Sequence, residues 1–138
     1  MTPAIFINCT VEPFVDDIMS RLKPYETRTR NTLGRFLGER VLLAETGKGR
    51  PLVKCSAVID KIVSVTTREE WEKYLRDTCI PVGSKYDWQP DTKIKWLYHL
   101  TDIRPVVPFR LGPDCQRHGR VWAELPDLYR VNYRDDAE

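Results

Sequence analysis

The apolar and polar positions along the chain alternate between two periods, and the switches mark the elements. "AIFIN" (4–8) is a short apolar run that reads as a strand. Pro13 suits the first turn of a helix. Phe14, Val15, Ile18, Met19 and Leu22 then recur at helical spacing, which predicts one apolar stripe ending at Leu22. Pro24 stops that helix, because the residue before a proline is pushed out of the α region. "YETRTR" (25–30) alternates strictly, with Glu26, Arg28 and Arg30 on one face and Tyr25, Thr27 and Thr29 on the other.

"RVLLAE" (40–45) predicts a strand, "TGKGRP" (46–51) a turn, and the β-branched run 52–65 a long strand or a bent pair. Thr67 followed by Glu70 is a capping box, so a second helix starts there, carries Trp71 and Leu75 inward and ends near Cys79. Residues 80–93 are rich in Pro, Gly, Asp and Ser and read as a loop holding Tyr86 and Trp88. "IKWLYHL" (94–100) is apolar on both faces, as a central strand is, and Pro105 and Pro108 are expected to interrupt the next segment. "GRVWAEL" (119–125) predicts a last strand after a glycine turn. About six short strands with two to three helices make an α+β domain, expected to be a small β-barrel with the helices packed at its openings. The domain is placed at 1–126 and a short acidic tail at 127–138.

Composition changes this picture little. With 138 residues the chain has room for one core, and 41% hydrophobic against 30% charged residues is a globular rather than a disordered balance. The formal net charge of +2 excludes a histone-like polycation, but its distribution is uneven. Residues 1–54 hold nine Lys and Arg against six acids, and 103–120 hold Arg104, Arg110, Arg117 and Arg120 against Asp114 alone. Cys9, Cys55, Cys79 and Cys115 lie far apart without metal-ligand spacing, so neither a zinc site nor another cofactor is expected. Thiols without a disulfide pattern, no signal-peptide pattern and no apolar stretch long enough for a membrane favour a cytoplasmic protein.

The candidate chemistry gathers in "SRLKPYETRTRN" (20–31), where Arg21, Lys23, Arg28 and Arg30 surround one acid, Glu26. A solvated turn or a polar pocket for an anion or nucleotide would each account for it. A helix running into Lys23, Glu26 and Arg28 (K-x-x-E-x-R) and then a strand resembles the ASCH domain, a relative of the PUA barrel. "KWLYHLTDIRPVVP" (95–108) is similar to the family's aromatic-rich strand that runs into prolines, and "HGRVW" (118–122) to its closing segment. The similarity spans about residues 4–125. One departure is that the family usually has glycine two residues before the lysine, where this chain has Arg21.

The resemblance implies a polar pocket at a barrel mouth that binds RNA, single-stranded nucleic acid or a nucleoside or nucleotide. Lys23 and Arg28 would hold a phosphate, and Glu26 would accept from the exocyclic amine of a base. Arg21 and Arg30 would add cations, Trp96 and Tyr98 a stacking platform or part of the core, and His118 either an acid–base group or a solvated loop histidine. The alternative is a hydrolase, since the family includes amidohydrolases acting on acylated cytidine and ribonucleases. Lys23 and Glu26 would then be catalytic, although that amidohydrolase branch has threonine where Glu26 stands. Its further carboxylate has Asp60, Asp102 and Glu124 as candidates here. A third reading is a protein-interaction adaptor using Tyr86 and Trp88.

Overall fold

In a computed structural model, which describes residues 2–134, the chain forms one seven-stranded mixed sheet with two α-helices. In chain order the elements are β1 (Thr2–Asn8), α1 (Phe14–Met19), β2 (Tyr25–Arg28), β3 (Arg40–Thr46), β4 (Leu52–Val65), α2 (Arg68–Thr78), β5 (Lys95–Arg110), β6 (Gln116–His118) and β7 (Trp122–Leu125). A short 3₁₀ turn covers Gly34–Phe36. The strand order is β2-β5-β4-β3-β1-β7-β6, and every pairing is antiparallel except β1 with β3. None of the helices is long and apolar enough to cross a membrane.

The expected closed barrel of about six strands is thereby corrected to an open sheet of seven. β7 pairs with β1 only as far as Ile5, with one further bond from Phe6 N–H to the Val121 carbonyl, so the Ile7–Asn8 stretch keeps β3 on one side alone. β2 pairs with β5 alone. No ladder joins these free stretches. Arg28 Nη2 instead donates to the Phe6 carbonyl oxygen at 2.7 Å, a side-chain bridge from β2 to β1 across the seam.

The sheet buries both faces in its centre, which is why β1 and β3 are apolar at successive positions rather than alternate ones. Ile5, Ile7, Val41 and Leu43 pack with Phe14, Val15 and Ile18 of α1 and Trp71 of α2. Ala4, Phe6, Leu42 and Ala44 face a second cluster with Val106, Leu111, Cys115 and Leu125. Tyr129 and Val131 close that second cluster, while Val107 N–H donates to the Asn132 carbonyl and Arg134 N–H to the Pro105 carbonyl. Residues 127–134 are thus packed against the body of the domain, and the remainder of the acidic tail lies outside the described residues.

Three further expectations change. The first helix stops at Met19 rather than Leu22, and the chain turns through Ser20 and Arg21. Leu22 is exposed, so the apolar stripe overruns the helix by one residue that has no core to enter. β5 runs on through Pro105 and Pro108 as far as Arg110. Its ladder with β4 is shifted at three points, and beyond His99 it has no β2 partner, so the missing amides fall at irregular and unpaired positions. The run 52–65 is one long strand, β4, and not a bent pair. α2 follows its capping box, with the Thr67 hydroxyl accepting from Glu70 N–H at 3.1 Å and Cys79 closing it in the left-handed region at φ 57°.

Candidate functional site

The seam between β1 and β2 opens into a cleft of about 520 Å³. Its inner wall is an ion chain. The turn 20–24 delivers Lys23, and β2 delivers Glu26 and Arg28, two positions apart and so on one face of the strand. Lys23 Nζ lies 3.4 Å from Glu26 Oε1, and Arg28 Nη2 lies 2.9 Å from Glu26 Oε2. Lys23 Nζ also donates to the Thr78 carbonyl at the end of α2, at 2.6 Å, and sits 4.6 Å from the centre of the Phe14 ring. One side chain therefore ties α1, β2 and α2 together.

Burial costs this chain of charges heavily unless every member is partnered. Lys23 is only 2% exposed, and that burial holds its ammonium below the ordinary lysine range, with Glu26 opposing the shift. Arg28 Nε is buried without a hydrogen-bond partner, although Nη2 makes two.

A second buried lysine enters the same cleft. Lys95, at the start of β5, donates to the Tyr86 carbonyl at 2.6 Å and stands 5.0 Å from the Trp71 ring centre. Burial lowers its pKa as well, against the pull of Asp87. Arg117 and Arg120, flanking the β6–β7 turn, face the cleft from the other side. Arg117 lies over the Phe6 ring at 5.3 Å. The lining thus carries five cations and a single carboxylate, Glu26, with apolar surface from Phe6, Ile7, Phe14, Ile80 and Tyr86. At the rim, Gly47 has φ +113° and a Cβ there would meet Thr10 Cγ2 at 2.5 Å, so only glycine lets the β3–β4 turn pass so closely.

Of the residues singled out in the sequence, Lys23, Glu26 and Arg28 come together here. Arg21, Arg30, Trp96, Tyr98 and His118 do not line the cleft. Arg21 faces a different one, and Arg30 is exposed, its carbonyl accepting from the Tyr98 hydroxyl at 3.4 Å. Tyr98 is fully buried, its hydroxyl donating to Asn31 Oδ1 at 2.8 Å, while Trp96 is half-buried against the first core cluster. Tyr98 is therefore core, and Trp96 lies outside the cleft lining. His118 stacks on Trp122 at 4.0 Å with 8° between the planes, and its Nε2 is buried without a partner. Of its two readings, an acid–base group would require an imidazole open to the cleft and a solvated loop histidine a ring free of Trp122.

Two candidate carboxylates are engaged elsewhere, Asp60 with His99 at 2.7 Å and Asp102 with Arg40 and Arg104, and Glu124 lies in β7 outside the cleft lining. The 80–93 loop is held down. Asp87 accepts from the Trp71 indole, Trp88 N–H and Gly83 N–H, at 2.7, 2.7 and 2.8 Å. Burial pushes Asp87 up, and the three donors together bring it below the ordinary range. Tyr86 meets Phe14 edge to face, and Trp88 packs beside Trp71. Both rings of the adaptor reading are thus half-buried in the loop, and Tyr86 also lines the cleft.

Lys95, Arg117, Arg120 and Tyr86 are the cleft residues that the motif does not announce. The excess of arginine over acid in 103–120 is the one sequence signal pointing to two of them.

No protein-family model matches the chain, and no curated protein does. Among solved structures it is similar to the ASCH protein of Zymomonas mobilis, at 24% identity and TM-score 0.66 over 80% of this chain and 73% of that one. It is also similar to a serine-to-alanine variant of that protein, at 21% identity and TM-score 0.73 over 91% and 89%. Over 80–91% of its length, then, this chain has the fold of the ASCH structures.

Proposed function

We propose that the protein binds single-stranded RNA or a nucleotide unit of it in the β1–β2 cleft. The observation that carries this reading is the charge imbalance around one apolar-floored space: five cations and one carboxylate in about 520 Å³. A nucleotide supplies what such a space lacks, a phosphate for Arg117 and Arg120 and a flat base for Phe6, Ile80 and Tyr86. Glu26 keeps lone pairs beyond those taken by Lys23 and Arg28 and can accept from a base amine.

Fluorescence anisotropy with labelled single-stranded RNA, competed by mononucleotides, tests the proposal. Affinity falls with salt by about 0.7 in logarithmic slope per phosphate engaged. Arg117→Gln with Arg120→Gln, both at exposed positions, weakens binding without unfolding the protein. Absence of binding at low salt, or full affinity in that double variant, rejects the reading.

A hydrolytic reading rests on one observation, the buried Lys23 amine held below its usual range. Against it stand the Thr78 and Glu26 partners that already occupy the ammonium. Turnover of an acylated cytidine by the native protein, lost in Lys23→Arg while binding persists, would establish it. Without turnover in the native protein, binding alone remains.

A further inference from the structure

The turn that delivers Lys23 to one cleft delivers Arg21 to another. This second space, about 340 Å³, is lined by Arg21, Arg104 and Arg134, with Tyr133 and the apolar Met19, Ile103 and Pro105. Three arginines line it, and no carboxylate is among the described lining residues. Asp102, the nearest acid along the chain to Arg104, pairs with it at 3.1 Å but also with Arg40.

A second observation marks the same place. Arg21 stands at φ 66°, in the left-handed region, where glycine would fit without strain. A long cationic side chain is kept at a position whose backbone favours having none. Strain of this kind persists where a side chain is used.

Arg21 and Lys23 are two residues apart, so their α-carbons lie within about 7 Å, and the short turn between them joins the two clefts. We propose that the Arg21–Arg104–Arg134 cleft is a second anion site, holding a backbone phosphate of a single strand that also occupies the β1–β2 cleft. This rests on the nucleotide reading of that first cleft and extends it from a unit to a polymer. The two clefts together then select for chain length, with the first taking a base and phosphate and the second only a phosphate.

The test compares a mononucleotide with an octanucleotide of single-stranded RNA in the native protein and in Arg21→Gly/Arg104→Gln. Arg21→Gly relieves the backbone while removing the charge, and Arg104 is exposed, so lost binding cannot be ascribed to unfolding. The octanucleotide binds the native protein more tightly than the mononucleotide. The double variant loses about tenfold of the octanucleotide affinity and about 0.7 of its salt slope, the share of one phosphate, while mononucleotide affinity is unchanged. An octanucleotide that binds no better than a mononucleotide, or a double variant with native affinity and slope, overturns the second site and leaves the first intact. A native protein that binds neither probe overturns both.

Discussion

Glu26→Gln isolates the electrostatics of the seam. The substitution keeps shape and removes the one negative charge between Lys23 and Arg28. Lys23 is 2% exposed and Glu26 7%, so neither can turn to water without opening the structure. Removing one partner of a buried ion pair costs about 3–5 kcal/mol, because the other charge stays desolvated. Here two cations lose their partner, but Lys23 keeps the Thr78 carbonyl and Arg28 keeps Phe6, so the lower end, about 3 kcal/mol, is expected. For a domain of this size that is a fall of roughly 10 °C in Tm.

The deficit depends on pH in a definite direction. Lys23 is already below its ordinary range in the folded protein, and without Glu26 it falls further. Above the folded pKa the unfolded chain holds the extra proton, so stability rises with pH until the unfolded value near 10.4 is reached. Urea denaturation of both proteins from pH 6 to pH 9 measures this. The gap is widest at pH 6 and narrows toward pH 9, and adding Lys23→Met to Glu26→Gln recovers part of the loss at pH 6. A Glu26→Gln protein within about 1 kcal/mol of the native one, with no pH trend, would mean that the triad is hydrated and that the ion chain does not hold the seam.

Other substitutions probe neighbouring features. Arg21→Gly stabilises the protein by about 1 kcal/mol in chemical denaturation, since a non-glycine residue at φ 66° carries about that strain; an unchanged midpoint would mean that the turn relaxes. Asp87→Ala leaves the Trp71 indole and the Gly83 and Trp88 amides without an acceptor and destabilises by about 1–3 kcal/mol, with faster amide exchange concentrated in residues 80–93; a uniform change would deny that Asp87 organises this loop. Cys55 is fully buried and its thiol is pushed up to about 12 by desolvation, so a thiol reagent at pH 8 leaves it and the buried Cys115 unmodified in the native state; rapid labelling of all four cysteines would contradict the packing of both clusters.

Local rules carry far in this sequence wherever the deciding interactions are themselves local. The capping box at Thr67 and Glu70 places α2, and strict alternation puts Glu26 and Arg28 on one face of β2. The end of α1 escapes such rules because Leu22 continues the apolar spacing while only tertiary contact tells which positions meet the core. The length of β5 escapes them because a proline reads as a break, whereas a strand with shifted register and an unpaired side tolerates one. The far wall of the cleft is out of reach for a plainer reason. Arg117 and Arg120 belong to it only because β7 pairs with β1, more than a hundred positions earlier, and nothing in their neighbourhood records that pairing.

That same pairing fixes when the protein can become competent during its synthesis. β1 emerges from the ribosome first and β7 among the last elements, and pairing across so long a separation is entropically costly and slow. Lys23 must also wait for the end of α2 before Thr78 can receive it. A nascent chain stopped after β5 therefore presents the Lys23–Glu26–Arg28 wall without Arg117 and Arg120 opposite it. The cleft is completed only when β6 and β7 have followed, so products truncated before them should retain much of the sheet and yet lack the full cationic enclosure.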